Sequence, residues 1–160
     1  MRRFLPVLLV LPLLACSGHG AGGLPTPPPM DMGRIVRPAT PNTALAAPAG
    51  FTPTPDLVTR RYDVPPALLF AAIRQVAAAQ PRTFPAALYH DRMQAHYVAR
   101  SRIFNFPDLI TVQVNPDATL VLWSRSVYGR SDFGVNRARL EHWLAALDAV
   151  LSRPVPGGPT

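Results

Sequence analysis

Lysine is absent from this 160-residue chain, and glutamate and cysteine occur once each. A single cysteine excludes a disulfide within a monomer, so an apolar core must hold any folded domain. Charged residues are scarce at 16% and hydrophobic residues reach 48%, which excludes a chain disordered throughout. The longest apolar run, Phe4 to Leu14, is broken by Pro6 and Pro12 and falls short of the about 20 residues that cross a bilayer. The sequence also lacks a Walker loop, a dinucleotide fingerprint, a zinc-ligand spacing and a Gly-x-Ser-x-Gly elbow, so it implies no cofactor, no metal and no catalytic residue. The all-arginine basic set accompanies abundant Ala, Pro, Leu and Gly and reads as coding bias.

What is present begins with an export signal. Arg2 and Arg3 precede the apolar run, and small residues follow it. Leu13-Leu14-Ala15-Cys16 resembles the bacterial lipobox, in which the cysteine sulfur takes a diacylglyceryl group and the freed amine is then acylated. Residues 1–15 are therefore expected to be removed and Cys16 to be the lipidated first residue. Removal of Arg2 and Arg3 leaves 14 cations against nine acids, a charge of +5 that favours anionic partners. The expected location is the cell envelope, lipid-anchored and facing the periplasm. Ser17 favours the outer over the inner membrane, and export makes nucleic acid a poor partner.

Residues 16–33 are expected as a Gly/Pro-rich tether. A single domain is expected over 34–153, with 34–55 as a proline-rich irregular arm and 154–160 as a frayed tail. Val58 to Val64 predicts a strand, and Pro65-Pro66 open a helix whose Leu69, Ala72, Ile73 and Val76 share a face. Residues 86–91 and 93–101 predict two strands turning at Asp91-Arg92. In 109–114, Ile110, Val112 and Val114 face one way and Leu109, Thr111 and Gln113 the other. Asn115-Pro116-Asp117 is a turn, and 120–126 is the returning strand. Leu140, Trp143, Leu144, Leu147, Val150 and Leu151 follow helical spacing up to Arg153-Pro154. The order β-α-β-β-β-β-α predicts an α+β fold: an antiparallel sheet of four to five strands with two α-helices packed on one face.

The string Ser124-Arg125-Ser126, Gly129-Arg130-Ser131-Asp132-Phe133-Gly134-Val135-Asn136-Arg137, Arg139 resembles the signature of the domain of unknown function 1499 family, found in exported bacterial proteins and in plastids. Pro41-Asn42, Leu45, Pro48, Ser101-Arg102 and Phe106-Pro107-Asp108 resemble the same family. The resemblance covers about residues 34–152 and implies a kinship without an assigned activity. Some members carry a cysteine after an early asparagine, which this chain lacks.

The same string holds the candidate site: Arg102, Arg125, Ser126, Arg130, Ser131, Asp132, Asn136, Arg137 and Arg139. Guanidinium groups fork onto carboxylates and phosphates, and a helix start favours an anion. A structural reading competes, in which Asp132 or Asn136 caps the last helix, Asp132 pairs with Arg125 or Arg137, and Gly129 and Gly134 allow tight turns. Serines 124, 126 and 131 read as backbone hydrogen-bonders, and Asp108 as a partner for Arg102. His90, Asp91 and His96 are the nearest approach to a metal or acid–base group, but at this spacing solvated strand residues are the expected reading. Three functions follow as expectations. The first is a non-catalytic binding module for an anionic small molecule, lipid headgroup or envelope partner; the second is an enzyme on a phosphorylated or carboxylated substrate; the third is a structural or assembly factor of the envelope.

Overall fold

A computed structural model describes residues 18–153; the signal segment, Cys16 and the tail 154–160 lie outside the described residues. Six strands form one sheet: β1 (Thr43–Pro48), β2 (Leu57–Thr59), β3 (Thr83–Tyr89), β4 (Gln94–Arg100), β5 (Pro107–Val114) and β6 (Leu120–Ser126). Among the described residues two α-helices, α1 (Pro66–Ala78) and α2 (Val135–Leu151), accompany the sheet. The strand order is β2-β1-β6-β5-β4-β3, and every pair is antiparallel except β1 with β2. The architecture is thus α+β with a mixed sheet of six strands, not an antiparallel sheet of four or five.

The correction arises in 34–55, expected to be irregular. Thr43-Ala44-Leu45-Ala46-Ala47-Pro48 shows neither β-branched enrichment nor polar alternation, yet it forms an interior strand of the sheet. The reason is that both its faces are covered, so nothing selects for polar residues on either one. Ala44 and Ala46 face the helices, whereas Leu45 and Ala47 join a second cluster with Met32, Ile35, Val121 and Trp123. The expected strand 58–64 shrinks to three residues, since the chain leaves the sheet after Thr59.

The remaining elements follow from patterning. Pro66 stands at the start of α1, where its missing N–H costs nothing. The apolar stripe of α1 (Leu69, Ile73, Val76) and that of α2 (Leu140, Trp143, Leu147) share one core with Tyr97, Ile110, Val112 and Leu122 of the sheet. The β3–β4 connection is a 3-10 turn, His90–Arg92, closed by Met93 in the left-handed region. Both sheet edges are blunted: β2 by its length, β3 by Pro85 and the register shift beside it.

Residues 18–33, expected as a tether, lie instead along the sheet face opposite the helices. The Gln94 side chain binds Met30 as a neighbouring strand would, its Oε1 accepting from Met30 N at 2.7 Å and its Nε2 donating to Met30 O at 2.7 Å. Tyr89 Oη donates to Pro27 O at 2.7 Å, and Arg100 donates to the carbonyls of Gly20 and Gly22. Glycine puts no side chain beside its carbonyl, so Arg100 reaches Gly20 and Gly22 without steric hindrance. All seven residues of β4 are buried, Ala95, Tyr97 and Ala99 beneath the helices and the alternate residues on the face that the arm crosses.

Candidate functional site

The 124–139 string divides into two halves with different physical roles. The first half is internal, and Asn136 is its hub. Its side chain is completely buried at the start of α2. The Nδ2 group donates to Asn42 O (3.0 Å), Ser126 Oγ (3.0 Å) and Asp132 Oδ2 (2.7 Å), while Oδ1 accepts from Ser124 Oγ and from Arg139 Nη1 (2.7 Å). Arg139 Nη1 also donates to Ser124 Oγ at 2.9 Å, while its Nη2 donates to Asp108 Oδ2 at 2.6 Å, an ion pair with both side chains mostly buried. One cluster therefore fastens α2 to β6, β5 and the start of β1.

Asp132 caps the helix, its carboxylate accepting from Gly134 N at 3.0 Å and Asn136 N at 2.9 Å. It forms an ion pair with neither Arg125 nor Arg137. Arg137 pairs with Glu141 one turn on (2.9 Å) and reaches Asp56 O. Asp108, expected beside Arg102, is taken by Arg139, which α2 carries directly over β5. Ser131 Oγ accepts from Phe133 N, a backbone bond as expected, whereas Ser124 and Ser126 bond side chains. Gly129 and Gly134 adopt φ of 91° and 82°, the left-handed turns expected of them. Arg102 and Arg130 are exposed on loops.

Arg125 behaves differently. On β6 it stands between Thr43 of β1 and Leu109 of β5, on the face that the N-terminal arm crosses. No carboxylate or hydrogen-bond acceptor among the described residues engages its guanidinium. The residue as a whole is exposed, yet desolvation around the charged head lowers its pKa from the ordinary arginine value. Two depressions meet at Arg125 and Met30. One, of about 210 Å³, lies under Pro27, Pro28 and Pro29 and is floored by His96, Leu109 and Thr111. The other, of about 480 Å³, is lined by Val36, Arg37, Thr43, Trp123, Ser126 and Gly129. Arg37, across Trp123 from Arg125, is held by Asp56 at 2.9 Å, and its Nε is buried without a partner. The result is a trough of mixed apolar and polar lining, with Arg125 as an uncommitted cation, among the described residues, where its two parts meet.

The histidine expectation changes. His96 is buried, not solvated: it hydrogen-bonds Thr111 Oγ1 at 3.0 Å and Gln94 Oε1 at 3.1 Å, and burial lowers its pKa. No group of three His, Cys, Asp or Glu among the described residues could hold a metal ion, and His90, Asp91 and His96 are not brought together in one. Sequence reasoning missed Gln94, Asp56 and Asn42. Of these only Asn42 carried a signal, through the Pro41-Asn42 resemblance. Its Nδ2 donates to Gly129 O at 2.7 Å and so ties β1 to the loop before α2.

A family model described as "Protein of unknown function (DUF1499)" matches residues 36–147. No curated protein matches the chain.

Proposed function

The chain belongs to the DUF1499 family, and on that premise we propose that it is a membrane-anchored periplasmic lipoprotein acting as a non-catalytic binding module for an anionic amphiphile. Acylated Cys16 is the anchor in this reading, and the trough at Arg125 is the binding site. The observation that carries it is the uncommitted Arg125 guanidinium, partly desolvated where two depressions lined in part by Leu109 and Trp123 meet. An unpaired, partly desolvated guanidinium favours an anion, and a carboxylate or phosphate on a short acyl chain engages both the charge and the apolar part of the lining. The larger depression is of the size that small-molecule sites have. Serine and aspartate chemistry finds no support nearby, because Ser131 and Asp132 are spent on the loop and the helix cap.

Trp123 lines the trough and reports on it. Dodecyl phosphate and dodecanoate are expected to change tryptophan emission saturably, whereas uncharged dodecyl maltoside below micelle formation is not. Arg125→Ala is expected to weaken the anionic probes about 10–100-fold, the worth of a charge-assisted hydrogen bond of about 1.5–3 kcal/mol. Equal affinity for charged and uncharged probes, or for wild type and Arg125→Ala, removes the reading.

A further inference from the structure

Four large apolar side chains stand in water at one end of the sheet: Ile103 is 82% exposed, Phe104 65%, Phe106 43% and Phe133 95%. They belong to two loops, 101–106 between β4 and β5 and 127–134 between β6 and α2. Antiparallel pairing of β5 with both β4 and β6 brings these loops to the same end. A stack of Phe104 on Phe106 at 5.5 Å, extended to Tyr128 at 6.3 Å, joins them. Phe133 holds its ring out to solvent from the left-handed region, at φ 53°, which bulky residues rarely occupy. Core packing explains none of this.

The charge at this end has one outward sign. Arg102 and Arg130 are exposed on the same two loops. The neighbouring carboxylates, Asp108 and Asp132, point inward, one to Arg139 and the other to the N–H groups of α2. The chain also arrives here. Asn105 Nδ2, between the two stacked phenylalanines in sequence, donates to Gly18 O at 3.1 Å. Cys16 precedes Gly18 by two residues, a reach of at most roughly 8 Å of backbone.

We infer that this end is a membrane-seating face, whose occupant is the interfacial layer of an anionic bilayer. Ile103, Phe104, Phe106 and Phe133 enter the boundary between headgroups and acyl chains, and Arg102 and Arg130 meet lipid phosphates. The inference rests on the proposed acylation of Cys16 for what brings the face down: Gly18, two residues on, is bonded to the loop that carries the aromatic stack. No helix among the described residues is long and apolar enough to span the membrane, so a seated face would set the orientation of the domain.

The test places a tryptophan at the face in the full chain, as Phe104→Trp and separately as Ile103→Trp. Each protein is reconstituted in phosphatidylethanolamine–phosphatidylglycerol vesicles with brominated acyl chains. Leu68→Trp is the control. It lies at the start of α1, where Tyr62 N bonds Ala118 O beside the β5–β6 turn at the opposite end. The expected result is about a twofold loss of the added emission at 103 or 104 and none at 68, since interfacial side chains sit roughly 5–10 Å deep. Equal quenching at both ends, or no quenching at 103 and 104, overturns the inference; protection of the two sites by a co-purifying protein in place of lipid does so too. Intact mass is read on the same samples. An acylated protein with unquenched sites refutes the seating face alone, whereas quenched sites on an unacylated protein refute the anchor alone.

Discussion

Asn136→Ala tests the division of the motif most sharply. The substitution removes an amide whose two N–H groups serve three acceptors and whose oxygen serves two donors. A buried hydrogen bond is worth about 1 kcal/mol net, and a partner left unsatisfied costs about 1–3 kcal/mol. Asp132 keeps its backbone donors, Arg139 Nη1 keeps Ser124 Oγ and the Asn42 carbonyl keeps Ser126 N, but five bonds to the buried amide go at once and Ser126 Oγ is left without its partner. The expected loss is about 3–5 kcal/mol, a large share of a total stability of about 5–15 kcal/mol. For a domain of this size that lowers Tm by roughly 10–15 °C. Urea and thermal melts followed by circular dichroism read it directly. Arg125→Ala, which breaks no bond among the described residues, is the internal comparison and is expected to stay within about 0.5 kcal/mol of wild type. Should Asn136→Ala cost less than about 1 kcal/mol, or Arg125→Ala cost as much, the assignment of one half to structure and the other to binding is wrong.

Two further outcomes follow from the same geometry. Arg139→Ala strands the mostly buried Asp108 carboxylate and is expected to cost about 3 kcal/mol in urea melts. Arg139→Lys restores the charge but not the fork that also serves Ser124 and Asn136, so a fully restored stability would contradict the fork. Burial lowers the His96 pKa from its ordinary 6.5, so the unfolded chain takes up a proton at a higher pH than the folded protein does. The stability associated with neutral His96 is then fully present above about pH 6.5 and is lost as pH falls through 6.5 toward the depressed folded value. The urea midpoint is expected to fall from pH 8 to pH 5 more in wild type than in His96→Gln; parallel profiles would place the histidine in water.

Legibility differed with the kind of signal each residue carries. β5 and β6 were readable because Ile110, Val112 and Val114 alternate with half-polar neighbours, and α2 because Leu140, Trp143 and Leu147 repeat at helical spacing. β1 was not, since a strand covered on both faces loses the alternation that marks a strand, and alanine carries no preference for one. The arm could not be foreseen either. Its contacts are backbone carbonyls of Gly20, Gly22 and Pro27 meeting Arg100 and Tyr89, and a carbonyl leaves no trace in the residue type. At the site, the resemblance drew attention to the right string, and helix-capping chemistry singled out Asp132. Which arginine would be used up was settled by geometry alone: Arg139 stands three positions after Asn136 on the same face of α2, which sets it above Asp108, whereas strand alternation sends Arg125 to the opposite face.

Native mass spectrometry of the full chain extracted from membranes, wild type beside Arg125→Ala, bears on the whole account at once. The expected wild-type species begins at Cys16, carries covalent acyl groups and holds a noncovalent anionic adduct that is depleted in Arg125→Ala. An unmodified Cys16, or an adduct retained equally by the two proteins, contradicts it.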